Sequence, residues 1–239
     1  QLLDGDIDIA VHSMKDMPGI LPDGLTIGAV PERENPFDVL ISKDNLKLSD
    51  YKSGAKVGTS SLRRASQIKN LRPDVEIESI RGNLDTRIKK LKSGEYDAIV
   101  LAAAGLRRLE QEDEITEYLD DSIMVPAVGQ GALCIETRVD DPDIAPVMEK
   151  LNHFETRVCV NGERAFLKQI EGSCHIPVAC YGAIENGKVL LTAVVASEDG
   201  KQLIREQIIS EFETIEKQGR VLADRVLENG GRKILEQLN

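Results

Sequence analysis

"AKVGTSSLRRASQIKNLRPDVEIESIRGNLDTRIKKLKSGEYDAIVLA", residues 55–102, alternates short apolar runs with stretches of helical periodicity. The runs at 55–58, 75–80 and 97–102 read as buried strands, and 62–71 and 84–94 read as helices, the second closed by Gly94. "DVLIS" (38–42) adds a strand before them and "AAGLRRL" (103–109) a helix after them. Strands alternating with helices predict a parallel, doubly wound sheet, an α/β domain over 38–125.

Two proline-marked crossings bracket that segment, "PERENP" (31–36) and "VPAVGQGA" (125–132). Strand patterns lie outside both, "LTIGAV" (25–30) before and "ALCIETR" (132–138) after. The expectation is an insertion: 38–125 sits inside an outer domain built from 1–33 and 132–150, the two joined by a pair of hinge strands. The outer pieces together hold about half the residues of an ordinary ~100-residue domain. The chain also opens without Met, so a further segment is expected ahead of Gln1. From 152 the pattern changes. "FETRVCVNGERAFLKQI" has helical periodicity, with Phe154, Val158, Ala165 and Ile170 among its apolar positions. Strands at "IPVACYGAI", "KVLLTAVVAS" and "QLIREQIIS" follow, separated by Asn186-Gly187 and Asp199-Gly200 turn signals, then a long helix over 211–229. This predicts an α+β domain over 152–239 with a three-stranded antiparallel sheet.

"DIDIAVHSMKDMPGILPDG" (6–24) carries the first chemical signal. Ile7, Ile9 and Val11 read as a buried strand that stops in a cluster of His12, Ser13, Lys15 and Asp16. Polar residues commonly end strands, but the carboxyl ends of strands in α/β sheets are also where a rigid scaffold holds reactive groups. The second signal is arginine at three successive strand-to-helix junctions. Thr59, Ser60 and Ser61 open one helix, with Arg63 and Arg64 in its first turn. Arg81 and Arg87 flank the next helix start, and Arg107 and Arg108 follow the third strand. Backbone N–H groups, hydroxyls and guanidinium groups there make an anion site. Two arginines in a first helical turn oppose the helix dipole, so they need an anion or an acidic neighbour.

Composition supports a local anion site. The net charge is −11, yet residues 56–108 carry twelve Lys/Arg against six Asp/Glu, leaving −17 for the rest. A duplex binder would show a broad basic face, and 3% aromatics with no Trp argues against a stacking platform for single strands. No apolar run reaches the ~18 residues of a membrane span. No leader pattern opens the sequence, and a cytoplasmic protein is expected. The four cysteines show no CxxC or zinc spacing, so no metal is expected. Cys174 lies between Gly172 and Pro177, outside any apolar period, and reads as an exposed loop thiol. Cys134, Cys159 and Cys180 fall in predicted elements and read as packing residues.

"VHSMKDMP", "VGTSSLRR", "IRGNLDTR", "VPAVGQGA", "NGERAFL" and "GSCHIPV", in that order, resemble the porphobilinogen deaminase (hydroxymethylbilane synthase) family, and the likeness runs the length of the chain. The resemblance implies two periplasmic-binding-protein-like doubly wound domains, the first truncated here, plus a C-terminal α+β domain. It implies a transferase that joins porphobilinogen units head to tail, with loss of ammonia, into hydroxymethylbilane. The primer would be a dipyrromethane cofactor thioether-linked to Cys174. By the same resemblance Asp16 is the catalytic aspartate and Ser13, Lys15, Thr59, Ser61, Arg63, Arg64 and Arg87 contact the cofactor. Arg81, Arg87 and Arg108 would hold substrate carboxylates. The implied partner is porphobilinogen, with neither nucleic acid nor membrane, and a monomer is expected. The family's Gly-Gly-Cys is Gly-Ser-Cys here, and its opening segment has no counterpart, so residues 1–239 alone are expected to turn over little. The competing reading is a non-catalytic hinged binder of a polycarboxylate or other anion, which leaves Asp16 and Cys174 without a use.

Overall fold

The strands gather into three sheets, with each helix packed against one of them; the computed structural model describes residues 1–170 and 176–238. The segment that decided the fold forms β4 (Lys56–Gly58), α1 (Leu62–Leu71), β5 (Glu76–Glu78), α2 (Leu84–Lys92), β6 (Ala98–Ala102) and α3 (Ala103–Arg108). Asn83 caps α2 through Oδ1, which accepts the Thr86 N–H at 3.0 Å. Gly94 ends it at φ 84°, donating to the Leu91 carbonyl at 2.9 Å. One sheet face packs Val39, Ile41 and Ile99 against Ile88 and Leu91, and the other packs Leu40, Val57 and Val100 against Ile68. Burial on both faces is why these strands read as continuous apolar runs.

The sheet is mixed rather than all parallel. Its order is β5-β4-β6-β3-β7, where β3 is Asp38–Ser42 and β7 is Glu117–Leu119. β4 runs parallel to β5 and β6, but β3 is antiparallel to both β6 and β7. β3 enters from the 31–36 crossing instead of from a covering helix, so it begins where its neighbours end. Asp38 stands opposite Ala102, the last residue of β6. The reversal therefore carries a carboxylate to the arginine junctions.

The first sheet is antiparallel, ordered β1-β8-β2, with β1 (Ala10–Ser13), β2 (Leu25–Ala29) and β8 (Leu133–Arg138). The expected burial of the opening strand is corrected here. Pairing begins only at Ala10, and Ile7, Ile9 and Val11 are 38%, 41% and 59% exposed. β1 is an edge strand, and the apolar anchors come after it: Met14 and Met17 pack with Val30, Ala132, Cys134 and Val160. α4 (Ala145–Leu151) covers the other side through Met148, which meets Ala29 and Ile135.

The third sheet is ordered β11-β10-β9, all antiparallel, from β9 (Val178–Glu185), β10 (Lys188–Ala196) and β11 (Leu203–Ser210). Asn186 and Gly187 join the first hairpin with φ of 52° and 76°, as a tight primed turn requires. α5 (Phe154–Gln169) and α6 (Ile215–Val226) lie on this sheet around Phe166, Leu191 and Leu222. They cross at Gly162 and Gly219, where a Cβ on Gly219 would sit 2.3 Å from the Gly162 carbonyl oxygen. Phe154, at the start of α5, is 59% exposed and meets Phe212 edge-on at the surface.

One carboxylate fastens the crossings to α5. The fully buried Glu163 accepts from Arg33 Nη1 at 2.6 Å and Nη2 at 3.2 Å, from Gly129 N–H at 2.7 Å and from Gly182 N–H at 2.9 Å. Arg33 also donates Nε to the Gln130 carbonyl at 2.8 Å, so both crossings meet at this pair. Burial works against the Arg33 charge, but Glu163 more than restores it and raises its pKa. Glu163→Gln leaves a buried guanidinium without its counter-charge and is expected to cost about 3–5 kcal/mol. A lowered denaturant midpoint with unchanged far-UV circular dichroism is the expected result, and an unshifted midpoint would contradict it.

Candidate active site

Between the anchors Met14 and Met17 the chain makes a single tight turn, closed by Met17 N–H donating to the Met14 carbonyl at 3.1 Å. Both methionines point into the core, which leaves Lys15 and Asp16 outward at the cleft. Gly129, at φ 70°, permits this: a Cβ there would lie 2.5 Å from Met14 Cγ. Packing therefore fixes the polar residues that follow β1. The polar cluster is held rigidly by the two buried side chains on either side of it.

Across the cleft, α1 presents Arg63 and Arg64, both buried. The acidic neighbour their position demands is Asp38. Its carboxylate accepts from Arg63 Nη1 at 2.7 Å and Nη2 at 3.1 Å, from Arg64 Nε at 2.8 Å and from Gln130 Nε2 at 3.0 Å. Burial alone would push the Asp38 carboxyl up, but Arg63 and Arg64 hold it below the usual carboxylate range. Burial lowers the Arg64 pKa despite Asp38 beside it. One carboxylate thus faces two guanidinium groups, and the node keeps a net positive charge. Burial in the cleft, together with the Arg64 charge, also holds the Lys15 ammonium below the usual lysine range.

A third wall comes from α5 and the start of β9. Lys15, Asp16, Ser61, Arg63, Arg64 and Arg164 surround a cavity of about 240 Å³. Its apolar surfaces are Met14, Met17, Val128, Leu167, Ile176 and Val178. Cationic corners around apolar flats suit a flat ring bearing carboxylates.

The expected residues divide into two groups. Lys15, Asp16, Ser61, Arg63 and Arg64 meet at this cavity. Ser13, Thr59, Arg81, Arg87 and Arg108 do not line it. Thr59 is buried and serves its own turn, accepting the Ser61 N–H at 3.2 Å, and Ser13 pairs with Leu133 in β1. Arg81 is exposed, Arg87 donates Nε to the Gly82 carbonyl at 2.8 Å, and Arg108 donates Nη2 to the Gly131 carbonyl at 2.8 Å. Cys174 lies outside the described residues, but Ile176 and Val178 just beyond it line the cavity. The other thiols are buried: burial pushes Cys134 up to about 11 and Cys159 up to about 12, and raises Cys180 well above the usual range. Sequence reading missed Asp38, Gln130 and Arg164. Gln130 and Arg164 sit inside the quoted strings "VPAVGQGA" and "NGERAFL". Asp38 was signalled only by the unpaid electrostatics of the arginine pair.

Comparison with known proteins bears on this cleft. The family model for "Porphobilinogen deaminase, dipyromethane cofactor binding domain" matches residues 1–146, and that for the "Porphobilinogen deaminase, C-terminal domain" matches 157–228. The porphobilinogen deaminase of Geobacillus kaustophilus is 51% identical over 239 residues, covering 100% of this chain and 77% of that one. That of Desulforamulus reducens is 47% identical over 237 residues, covering 99% and 77%. Among solved structures, a TRAP periplasmic solute binding protein from Desulfovibrio salexigens aligns with a TM-score of 0.42 at 13% identity, over 65% of this chain and 57% of that one. The two models take in the Lys15–Asp16 turn, the arginine helix and α5, every wall of the cavity, and the chain belongs to the porphobilinogen deaminase family.

Proposed function

We propose that this cleft joins porphobilinogen units, with loss of ammonia, into the linear tetrapyrrole hydroxymethylbilane, on a dipyrromethane held through Cys174. The observation that carries the proposal is one carboxylate, Asp16, set among Lys15, Arg63, Arg64 and Arg164 in a single apolar-walled cavity. The donor set fits the cofactor: Met14, Val128, Leu167 and Ile176 offer surfaces for pyrrole rings, and the cations offer partners for acetate and propionate groups. When bound, the dipyrromethane supplies a pyrrole whose free α-carbon is the nucleophile.

Asp16 places a fixed negative charge where positive charge develops on the substrate pyrrole as its C–N bond to ammonia breaks. It also offers an oxygen to the proton released when the new C–C bond forms. A preorganised charge of this kind costs no reorganisation at the moment of reaction. Arg63, Arg64 and Lys15 neutralise ligand carboxylates that would otherwise repel one another. Ser61, at the N-terminus of α1, adds a hydroxyl to that wall. Thr59, Ser13, Arg81, Arg87 and Arg108 would reach the ligand only if the units holding them shift, which hinge closure about the two crossings allows. We take those units as 1–33 with 132–150, 38–125, and 152–239. We take the monomer as the working form. A thioether survives a reducing compartment, and the cytoplasm is the proposed location.

Incubating the full-length holoenzyme with porphobilinogen tests this reading. Release of one ammonia per substrate consumed, with a linear tetrapyrrole that cyclises to a coloured porphyrin on acid oxidation, is expected. Reversible uptake of porphobilinogen without ammonia release would contradict it.

A further inference from the structure

Arg164 projects from α5, the helix that ends at Gln169 just ahead of residues 171–175. It lines the cavity with Asp16 and the α1 arginines, and it is partly buried. Its Nη2 donates to the Pro18 carbonyl at 2.8 Å and, at longer range, to the Gly19 carbonyl at 3.5 Å. Both acceptors are neutral. The other arginines of the cleft and its crossings are matched differently: Arg33 has Glu163, and Arg63 and Arg64 share Asp38. Among the described residues no carboxylate lies within ion-pair distance of Arg164, and burial works against its charge. A guanidinium does not escape such a site by losing its proton. The cost persists until an anion arrives.

We propose that Arg164 is a specificity-determining residue that binds one carboxylate of the pyrrole ligand from the third wall, facing the Arg63–Arg64 pair. The inference rests on the reading of the cleft given above and adds a contact from the C-terminal unit. A ligand carboxylate there completes a charge pair in a partly desolvated place, which a neutral group cannot do. Arg164 would also select between the ligand's two acidic side chains, because it stands apart from the α1 pair on a different element.

The test uses the full-length holoenzyme and an unreactive porphobilinogen analogue in which a methyl group replaces the aminomethyl group, with its two monoesters. Arg164→Gln removes the charge while keeping a donor for the Pro18 carbonyl. It is expected to weaken calorimetric binding of the diacid about 10- to 100-fold, as loss of a charge-assisted contact does. One of the two monoesters should bind the parent and Arg164→Gln equally, and Arg164→Lys should recover part of the diacid affinity. Unchanged diacid affinity in Arg164→Gln overturns the inference. An equal penalty on the diacid and both monoesters also overturns it, since that pattern marks a role confined to holding the Pro18 turn. If the parent enzyme itself fails to bind the diacid, the reading of the cleft falls with it.

Discussion

Cys174→Ala is expected to remove the covalent dipyrrole and turnover together, leaving no activity above background. The thiolate is the nucleophile that makes a thioether, and burial suppresses it. Cys134, Cys159 and Cys180 are all buried, with thiols raised to about 11, to about 12 and well above the usual range. They are inert packing groups in β8, α5 and β9. Cys174 is the remaining cysteine, and its segment joins α5 to β9, both of which contribute to the cavity wall. Cys180→Ala is the control: it trims a core side chain and is expected to keep the attachment. A Cys174→Ala enzyme that still carried the dipyrrole would show that the anchor is elsewhere.

Asp16→Asn is expected to lower kcat on the order of 10²- to 10³-fold, the scale of losing one preorganised charge partner, with KM within about twofold. The side chain is exposed between two buried methionines, so asparagine disturbs neither anchor and keeps the shape of the turn. Substrate carboxylates are held by the cations opposite, which explains why affinity should survive. Steady-state kinetics on the full-length holoenzyme separate the two parameters, and near-normal kcat in the variant would remove Asp16 from the chemistry.

Much of the architecture was legible because burial writes itself into sequence. β6 is apolar throughout since both faces are covered, and α1 begins and ends where its periodicity does. Alternation in Ile7, Ile9 and Val11 was legible too, but alternation does not say which face another element covers; here Val11 is exposed on an edge strand and Ile7 and Ile9 are exposed ahead of its first pairing. The direction of β3 was not legible. A five-residue apolar strand reads the same whether it runs with or against its neighbours, and only the short crossing before it forces the reversal. That one unknown hid Asp38, which looks like an ordinary strand start until β6 and α1 are placed beside it. β7 spans three residues, too few for any period to show.

The candidate site was legible in the same uneven way. The Lys15–Asp16 turn was visible as a polar cluster after a strand pattern, and the Arg63–Arg64 pair as arginines in the first turn of a helix. Convergence of all three arginine junctions was not a matter of sequence. Arg87 is engaged by the Gly82 carbonyl in its own helix-entry turn, and Arg108 by the Gly131 carbonyl, which only tertiary packing brings near. Arg164 was hidden because it lies on a different unit, and nothing in "NGERAFL" says which of its polar groups turns to the cleft and which, like Glu163, is sealed in the core.

Peptide mass mapping of the full-length holoenzyme tests the central claim most directly. The account predicts an added mass equal to two porphobilinogen units less their ammonia, confined to the peptide that contains Cys174 and resistant to thiol reductants. The same adduct on a peptide containing Cys134, Cys159 or Cys180, or an active enzyme with unmodified Cys174, would contradict it.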